Sequence, residues 1–250
     1  MVLRALVAGL VIILLWQLVV SVTNVPDFIL PSPAGVFSAL IEDAAFLAPH
    51  AGITALEIVL GLVIGTVLGS ISAILMIWFR PVRTWLFPVL VISQALPVFA
   101  LAPILVLWLG YGLASKIAMA VMIIFFPVTA ALYDGLRRTD PGLLDLARTM
   151  GADSWALLRH IRIPAALPVF ASGLRVATAV APIGAVVGEW VGSSAGLGYL
   201  MLHWNARMQV DSMFAALVVL AALAVSLYFL VDHALRRLTY WQTETDMTKG

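Results

Sequence analysis

The chain contains no cysteine among its 250 residues, and charged residues make up only 11% of it. The first absence excludes disulfide bonds and thiolate metal sites. The second leaves too little charge to coat a soluble globule, since 63% of the residues are hydrophobic. We therefore predict an all-α, polytopic membrane protein in which residues 1–250 form a single transmembrane domain in a lipid bilayer.

Signatures of catalysis are also missing. There is no phosphate loop of the form G-x-x-x-x-G-K followed by Ser or Thr, so nothing indicates that this chain hydrolyses nucleotide by itself. The four histidines are dispersed without metal-ligand spacing. A net charge of +1 provides no basic stripe for nucleic acid. We predict no catalytic residue, no metal site and no nucleic-acid partner, so that energy comes from a partner or an ion gradient.

Six apolar runs have about the length that crosses a bilayer, namely residues 5–22, 53–78, 85–109, 117–136, 165–188 and 213–235. A cleaved signal peptide is the alternative for the first run, although the cleavage pattern after it is poor. With six spans and an inner N-terminus, the inner segments hold eleven of the fourteen Lys and Arg residues. The positive-inside rule then predicts that both termini and residues 140–168 are cytoplasmic.

Residues 140–168 form a polar segment of helical pattern. Asp140 can cap a helix that begins at Pro141, and Gly151 is placed to end it. A second short helix is expected to start at Asp153 and to stop before Pro164. The outer connections are expected to hold two more short helices, one capped by Ser32 and one within residues 189–212.

Several residues inside the apolar runs carry further predictions. Gly61, Gly65 and Gly69 recur on one helical face, which favours close packing of a neighbouring helix over a gating role. Prolines within the third to fifth runs indicate broken helices, which suit a transport pathway. Arg175 is predicted to be a structural intramembrane charge, with anion binding as the alternative. Its side chain is expected to face the bundle, to snorkel inward, or to pair with a carboxylate such as Asp134 or Asp232.

Candidate residues for a solute pathway are polar or aromatic and lie in or beside the broken runs: Gln94, Phe99, Glu189 and Trp190. The alternative for Phe99 and Trp190 is lipid or interface packing. An interhelical hydrogen bond is an equally good explanation for Gln94. Glu189 is expected near the outer boundary, where water solvates its charge.

The polar segment resembles the cytoplasmic loop of bacterial ABC importer permeases. Their usual pattern is Glu-Ala-Ala, three residues, Gly, nine residues, Ile, one residue and Leu-Pro. The matching positions here are Asp145, Leu146, Ala147, Gly151, Ile161, Ile163 and Pro164. Every spacing agrees, while Asp145 replaces Glu, Leu146 replaces Ala and Ile163 replaces Leu.

The likeness extends over most of the chain to the permeases of nitrate, sulfonate and taurine importers and to relatives for pyrimidine precursors of thiamine. The stretches that carry it are LPSP at 30–33, LAPILVLWLG at 101–110, FP at 126–127, LP at 167–168, GLR at 173–175 and GLGYL at 196–200. The stretch APIGAVVGEW at 181–190 is most similar to the pyrimidine-precursor relatives. A hydroxymethylpyrimidine-type solute is therefore expected, with sulfonate, taurine and nitrate as alternatives.

The resemblance implies a type I ABC importer permease fold in a bacterial inner membrane. It also implies a second copy of this chain, two cytoplasmic ATPase subunits that hold ATP and Mg²⁺, and an extracytoplasmic solute-binding protein. The coupling loop would be residues 140–164, with its coupling helix at 153–162. The residues expected to contact or position the ATPase are Asp145, Ala147, Gly151, Asp153, Ser154, Trp155, Leu158, Arg159, Ile161 and Pro164.

Two rival classes differ from this expectation. A secondary transporter would need membrane-embedded carboxylates for ion coupling. The sequence argument against it is that Asp134 and Asp232 are the carboxylates near span interiors and that both lie toward cytoplasmic ends. A membrane enzyme is disfavoured because the chain lacks a recognisable catalytic cluster.

Overall fold

The computed structural model describes residues 2–23 and 25–241, with side chains described from residue 7 onward. No strand occurs within these residues, which confirms the all-α prediction. The helices are α1 (Val2–Thr23), α2 (Pro33–Glu42), α3 (Ala44–Trp78), α4 (Arg80–Ala95), α5 (Val98–Leu109), α6 (Leu113–Arg137), α7 (Pro141–Thr149), α8 (Ser154–Leu157), α9 (Ile163–Gly192), α10 (Leu197–Ala206) and α11 (Val210–Leu238). A π-helical turn, Leu158–Arg162, joins α8 to α9.

Four helical units are long and apolar enough to cross a membrane: Ala44–Trp78, Leu113–Arg137, Ser154–Gly192 and Val210–Leu238. The predicted third span is not one straight helix, because the chain bends by 106° between α4 and α5. Pro97 causes the break, since it offers no amide hydrogen and disfavours helical backbone at Leu96. The bent pair would supply a fifth crossing, and the first predicted run forms α1, whose part Val7–Thr23 is a shorter apolar helix.

The centre of the molecule is formed by α3, α6 and α9, which approach closely along small residues. A Cβ added to Gly65 would lie 2.8 Å from Ile124 Cγ2, and one added to Gly184 would lie 2.6 Å from the Ala120 Cα. Gly61 also faces Ala120, so this alanine is enclosed by glycines of two helices. The predicted close packing along Gly61, Gly65 and Gly69 is thus confirmed, with α6 as the neighbour.

One end of the bundle, which we call the α10 end, contains α2, α10 and the adjoining parts of α3 and α11. The predicted Ser32 cap is present, because the Gly35 amide donates to Ser32 Oγ at 3.1 Å. The short helix expected within residues 189–212 is α10. Its Leu197 and Leu200 are fully buried and pack with Val36 of α2 in one apolar cluster. Both helices therefore belong to the folded core of this end.

The opposite end, which we call the α7 end, contains the polar segment. Asp140 caps α7 by accepting from the Gly142 amide at 2.7 Å, and Gly151 follows the helix with a φ of 86°. Asp153 caps α8 by accepting from the Ala156 amide at 2.7 Å. The expected stop before Pro164 is wrong, because the helix continues through the π turn into α9. The widened turn precedes the proline, whose ring would otherwise press on the carbonyl of His160.

Candidate functional site

The α7 end presents a short capped helix to its surroundings. Most of the sequence-predicted coupling residues lie on its surface: Asp145, Gly151, Asp153, Ser154, Trp155 and Arg159 are exposed, while Ala147, Ile161 and Pro164 are half-buried. Leu158 differs, because it is 1% exposed and packs into the apolar cluster between α3, α4 and α6. Leu158 therefore anchors the segment to the bundle, whereas the other side chains are available to a partner.

The exposed part of this segment is braced against the end of α3. The Trp155 ring lies 5.5 Å from that of Trp78, and 54% of the Trp155 side chain remains exposed. A groove of about 230 Å³ opens beside this pair, with Arg148, Ser154 and Arg162 among its polar lining residues. The geometry is that of a firmly held aromatic and basic surface, which suits contact with another protein better than the binding of a small molecule.

The α4–α5 break carries two of the predicted pathway residues. Gln94 lies just before the break and Phe99 just after it, and both are exposed, Phe99 to 67%. Trp190, near the end of α9, is 48% exposed. Their role in a solute pathway stays a prediction.

Glu189 lies in a different environment from the one its sequence position suggests. It is 1% exposed instead of solvated, and it accepts hydrogen bonds from two directions. Thr54 Oγ1 donates to Glu189 Oε1 at 2.6 Å, and the Gly198 amide donates to Glu189 Oε2. The carboxylate thus connects α9 to α3 and to the start of α10.

A second buried carboxylate, Glu57, lies beside this group and was missed by the sequence argument. Glu57 is fully buried in α3, and its Oε1 lies 3.2 Å from the Nζ of Lys116 on α6. It belongs to the predicted span 53–78, so the statement that Asp134 and Asp232 are the carboxylates near span interiors is wrong. The available signal was the spacing of His50, Thr54 and Glu57, which places three polar side chains on one face of an apolar helix.

Arg175 is paired, which was one of the options predicted for it, and Asp232 is the partner. The Arg175 Nε lies 2.6 Å from Asp232 Oδ1, and the Nε of Arg236 lies 2.8 Å from Oδ2 of the same carboxylate. The side chains of Arg175 and Asp232 are 28% and 15% exposed. This cluster joins α9 to α11, and a purely structural role for Arg175 stays a prediction.

The helical bundle has the type I ABC importer permease fold. Its features include the break between α4 and α5 and the segment of capped short helices between α6 and α9. It resembles the MetNI methionine ABC transporter in an inward-facing conformation with a TM-score of 0.59 and 21% identity, over 75% of this chain and 92% of that chain. Residues 65–240 match the family of binding-protein-dependent transport system inner membrane components. The chain belongs to this family.

Several curated relatives are similar along most of their length. A probable ABC transporter permease protein of Haemophilus influenzae is 57% identical over 91% of this chain and 93% of its own. The formylaminopyrimidine transport permease protein ThiX of Halalkalibacterium halodurans is 37% identical over 86% of each chain. The riboflavin transport system permease protein RibX of Chloroflexus aurantiacus is 34% identical over 93% of this chain and 88% of its own.

Relatives named for aliphatic sulfonates and taurine confirm the predicted permease group at lower identity. The putative aliphatic sulfonates transport permease protein SsuC of Bacillus subtilis is 29% identical over 96% of this chain and 87% of its own. The taurine transport system permease protein TauC of Escherichia coli is 27% identical over 94% of this chain and 88% of its own.

Proposed function

We propose that this chain is the translocation subunit of an ATP-driven importer. It would act with a second copy of itself, two cytoplasmic ATPase subunits that hold ATP and Mg²⁺, and an extracytoplasmic solute-binding protein. The observation that carries the proposal is the capped, exposed segment at the α7 end, in a chain of the binding-protein-dependent family. In this arrangement the α7 end and both termini face the cytoplasm, in agreement with the distribution of Lys and Arg.

The continuous helix from α8 into α9 suggests how force would reach the membrane. Ser154–Gly192 spans 39 residues without a break, which corresponds to roughly 58 Å at 1.5 Å per residue. A partner that moves Trp155 would therefore displace a single long helix, and Pro164 would not act as a flexible joint. This helix carries Arg175 near its middle and Glu189 near its far end, so motion at the α7 end would reach both charge clusters.

The test of the coupling assignment is Gly151→Val. Gly151 has a φ of 86°, and β-branched residues are strongly disfavoured in this conformation. We expect the variant to insert in the membrane normally while solute uptake and co-purification of the ATPase are abolished. Gly52→Val is the matched control, because Gly52 is helical and a Cβ there also meets open space. Wild-type uptake by the Gly151 variant would overturn the assignment.

A carrier driven by an ion gradient is the second candidate, and the buried Glu57 is the observation that favours it. Membrane-embedded carboxylates are the usual sites of proton or sodium coupling. Vesicles that contain the chain, the ATPase and the binding protein separate the two candidates. ATP-dependent uptake that persists when the proton and sodium gradients are collapsed supports the importer, and uptake that follows the gradient without ATP supports the carrier.

For the solute, we propose a small heterocycle of the thiamine pyrimidine-precursor type. The support is the 37% identity to a formylaminopyrimidine permease, and the riboflavin permease is also named for a heterocycle. The alternatives are aliphatic sulfonates and taurine, through the relatives at 29% and 27% identity, and nitrate, through the sequence resemblance alone. Calorimetric titration of the cognate solute-binding protein with hydroxymethylpyrimidine, formylaminopyrimidine, riboflavin, taurine and nitrate distinguishes these. Binding of taurine or nitrate without binding of a heterocycle would contradict the proposal.

A further inference from the structure

The buried polar groups at the α10 end form one connected cluster. Glu57 and Glu189 face each other across α3 and α9, and Lys116 of α6 pairs with Glu57. Thr54 connects the cluster to the start of α10, because it donates to Glu189 and accepts from the Leu197 amide at 2.8 Å. The three charged residues are each at most 6% exposed, so water reaches them poorly.

The cluster also holds the segment formed by residues 193–198, which comprises the turn before α10 and the first two residues of that helix. The amides of Gly196, Leu197 and Gly198 donate in succession to His50 Nδ1, Thr54 Oγ1 and Glu189 Oε2. Gly196 has a φ of 112°, and a Cβ at this residue would overlap the Glu189 carboxylate. Three consecutive backbone donors therefore end on side chains of α3 and α9, and the segment encloses the carboxylate.

The charges of the cluster do not balance when every group is ionised. Two carboxylates and one ammonium give a net charge of −1, and His50 adds no positive charge because its Nδ1 accepts a hydrogen bond. An uncompensated buried charge is costly, and a bound proton removes it. The ring of His50 stacks on that of Tyr199 of α10, with ring centroids 6.2 Å apart.

The two carboxyl groups differ in their hydrogen bonds. Glu189 accepts from Thr54 through Oε1 and from Gly198 through Oε2, so both of its oxygens act as acceptors. Neither oxygen of Glu57 has a hydrogen-bond donor of suitable geometry, although both are buried. A proton on Glu57 would give this carboxyl group a donor of its own and would leave the cluster with one ammonium and one carboxylate, a net charge of zero.

We propose that Glu57 and Glu189 share one proton beside the Lys116 ammonium, so that the three side chains form a neutral buried latch that fixes the segment 193–198, and with it α10, to α3 and α9. Glu189 is the positioning residue of the latch, and Glu57 is its proton-bearing partner. The latch would set the position of α10 at the end of the bundle opposite the ATPase segment.

Site-directed labelling tests this latch directly, because the natural chain has no cysteine. Leu197→Cys introduces a thiol at a fully buried position at the start of α10, and Ser194→Cys introduces one at an exposed position in the turn before it. The full chain in permeabilised membranes is treated with a water-soluble maleimide. With the latch intact, we expect the thiol at 197 to react at least about tenfold more slowly than the thiol at 194.

Substitutions in the cluster should then show which of its residues hold the start of α10 in place. Glu189→Gln should speed labelling at 197 by about tenfold or more, because the hydrogen bonds to a charged acceptor are lost. Thr54→Val, which keeps the side-chain shape, should act in the same direction. Glu57→Gln should leave the rate within about threefold, since an amide resembles a protonated carboxyl group in shape and charge. Glu42→Gln on exposed α2 surface is the matched control.

The outcomes distinguish the parts of the proposal. A thiol at Ala73, which is fully buried near the α7 end, should stay unreactive in every background and thereby show that the bundle is folded. Unchanged labelling at 197 in both Glu189→Gln and Thr54→Val would overturn the latch. Glu57→Gln as disruptive as Glu189→Gln would overturn the proton assignment. The labelling needs neither ATPase nor solute, so it can fail while the proposed transport function stands, and the reverse also holds.

Discussion

The connections at the two ends of the bundle are stabilised in opposite ways. At the α7 end, Asp140 and Asp153 cap amides two and three residues away, so the segment is shaped by its own sequence. At the α10 end, the Leu197 amide donates to Thr54, 143 residues earlier, and Thr54 donates to Glu189, 135 residues later. The first connection is local and exposed, and the second is buried and closed by distant residues.

This difference matches what each end has to do in an importer. A surface that docks a partner needs accessible side chains on a pre-shaped backbone, and local caps provide this without burying the contact residues. A segment tied to two helices instead reports their relative positions, because its backbone donors depend on side chains of both α3 and α9. We therefore expect substitutions of the residues that shape the backbone to lower the free energy of unfolding less at the α7 end than at the α10 end.

Alanine at the positive-φ glycines should show the largest contrast. At Gly196, alanine would have to adopt an unfavourable φ of 112°, and its Cβ would overlap the Glu189 carboxylate. We expect the free energy of unfolding to fall by about 3 kcal/mol or more. At Gly151, the φ of 86° is also unfavourable, but no atom lies within 4 Å of the added Cβ, and a loss of about 1 kcal/mol is expected. Reversible unfolding in mixed micelles measures both losses.

Gly112→Ala serves as the control for this pair, because Gly112 lies in a loop with negative φ and open space around its Cβ. It should change the free energy of unfolding little. Equal losses at Gly151 and Gly196 would show that backbone strain alone sets the effect and that the carboxylate contact is unimportant.

The Arg175 cluster should give the next largest effect and an asymmetry between its partners. Asp232→Asn leaves Arg175 and Arg236 without their shared carboxylate, and we expect a loss of about 2 kcal/mol, reduced by the partial exposure of the group. Arg175→Gln leaves Asp232 paired with Arg236, so about 1 kcal/mol is expected. Unfolding in micelles and uptake of competing solutes are the two measurements.

These two measurements also decide the role of Arg175. A structural role lowers the amount of folded protein and leaves solute preference unchanged. If Arg175→Gln instead altered solute preference at a normal amount of folded protein, the residue would belong to the pathway.

The sequence predicted local features well and long-range ones poorly, for a physical reason. Caps at Ser32, Asp140 and Asp153 need only a side chain and an amide a few residues away, so their signals are contained in short stretches. The surroundings of Glu189 depend on Thr54 of α3, which lies 135 residues earlier, and no local pattern indicates the burial of Glu189. Pairing of Arg175 with a carboxylate was predictable because an isolated charge in a membrane requires a partner.

The predictions made from proline had different outcomes. Pro164 was expected to end a helix, but the π turn before it accommodates the ring and the helix continues. The broken helix predicted in the third run is confirmed at Pro97, where the backbone turns by 106°, whereas Pro127, Pro168 and Pro182 lie inside continuous helices. A proline therefore indicates a perturbed helix, and the packing around it determines whether the helix bends, widens or breaks.

The smallest expected effect concerns the cap of α8. Asp153→Ala removes the acceptor of the Ala156 amide, and a cap of this kind contributes about 1 kcal/mol. Because α8 is only four residues long and continues into the π turn, the loss should be confined to residues 154–157. Amide hydrogen exchange should therefore quicken in that segment alone, while the peptides of α7 and α10 exchange as before. Asp153→Asn keeps an acceptor at the same position and should restore protection. Faster exchange that spread to α10 would show that the two ends are coupled through α9 even in the isolated chain, and the contrast between a local and a distant connection would have to be withdrawn.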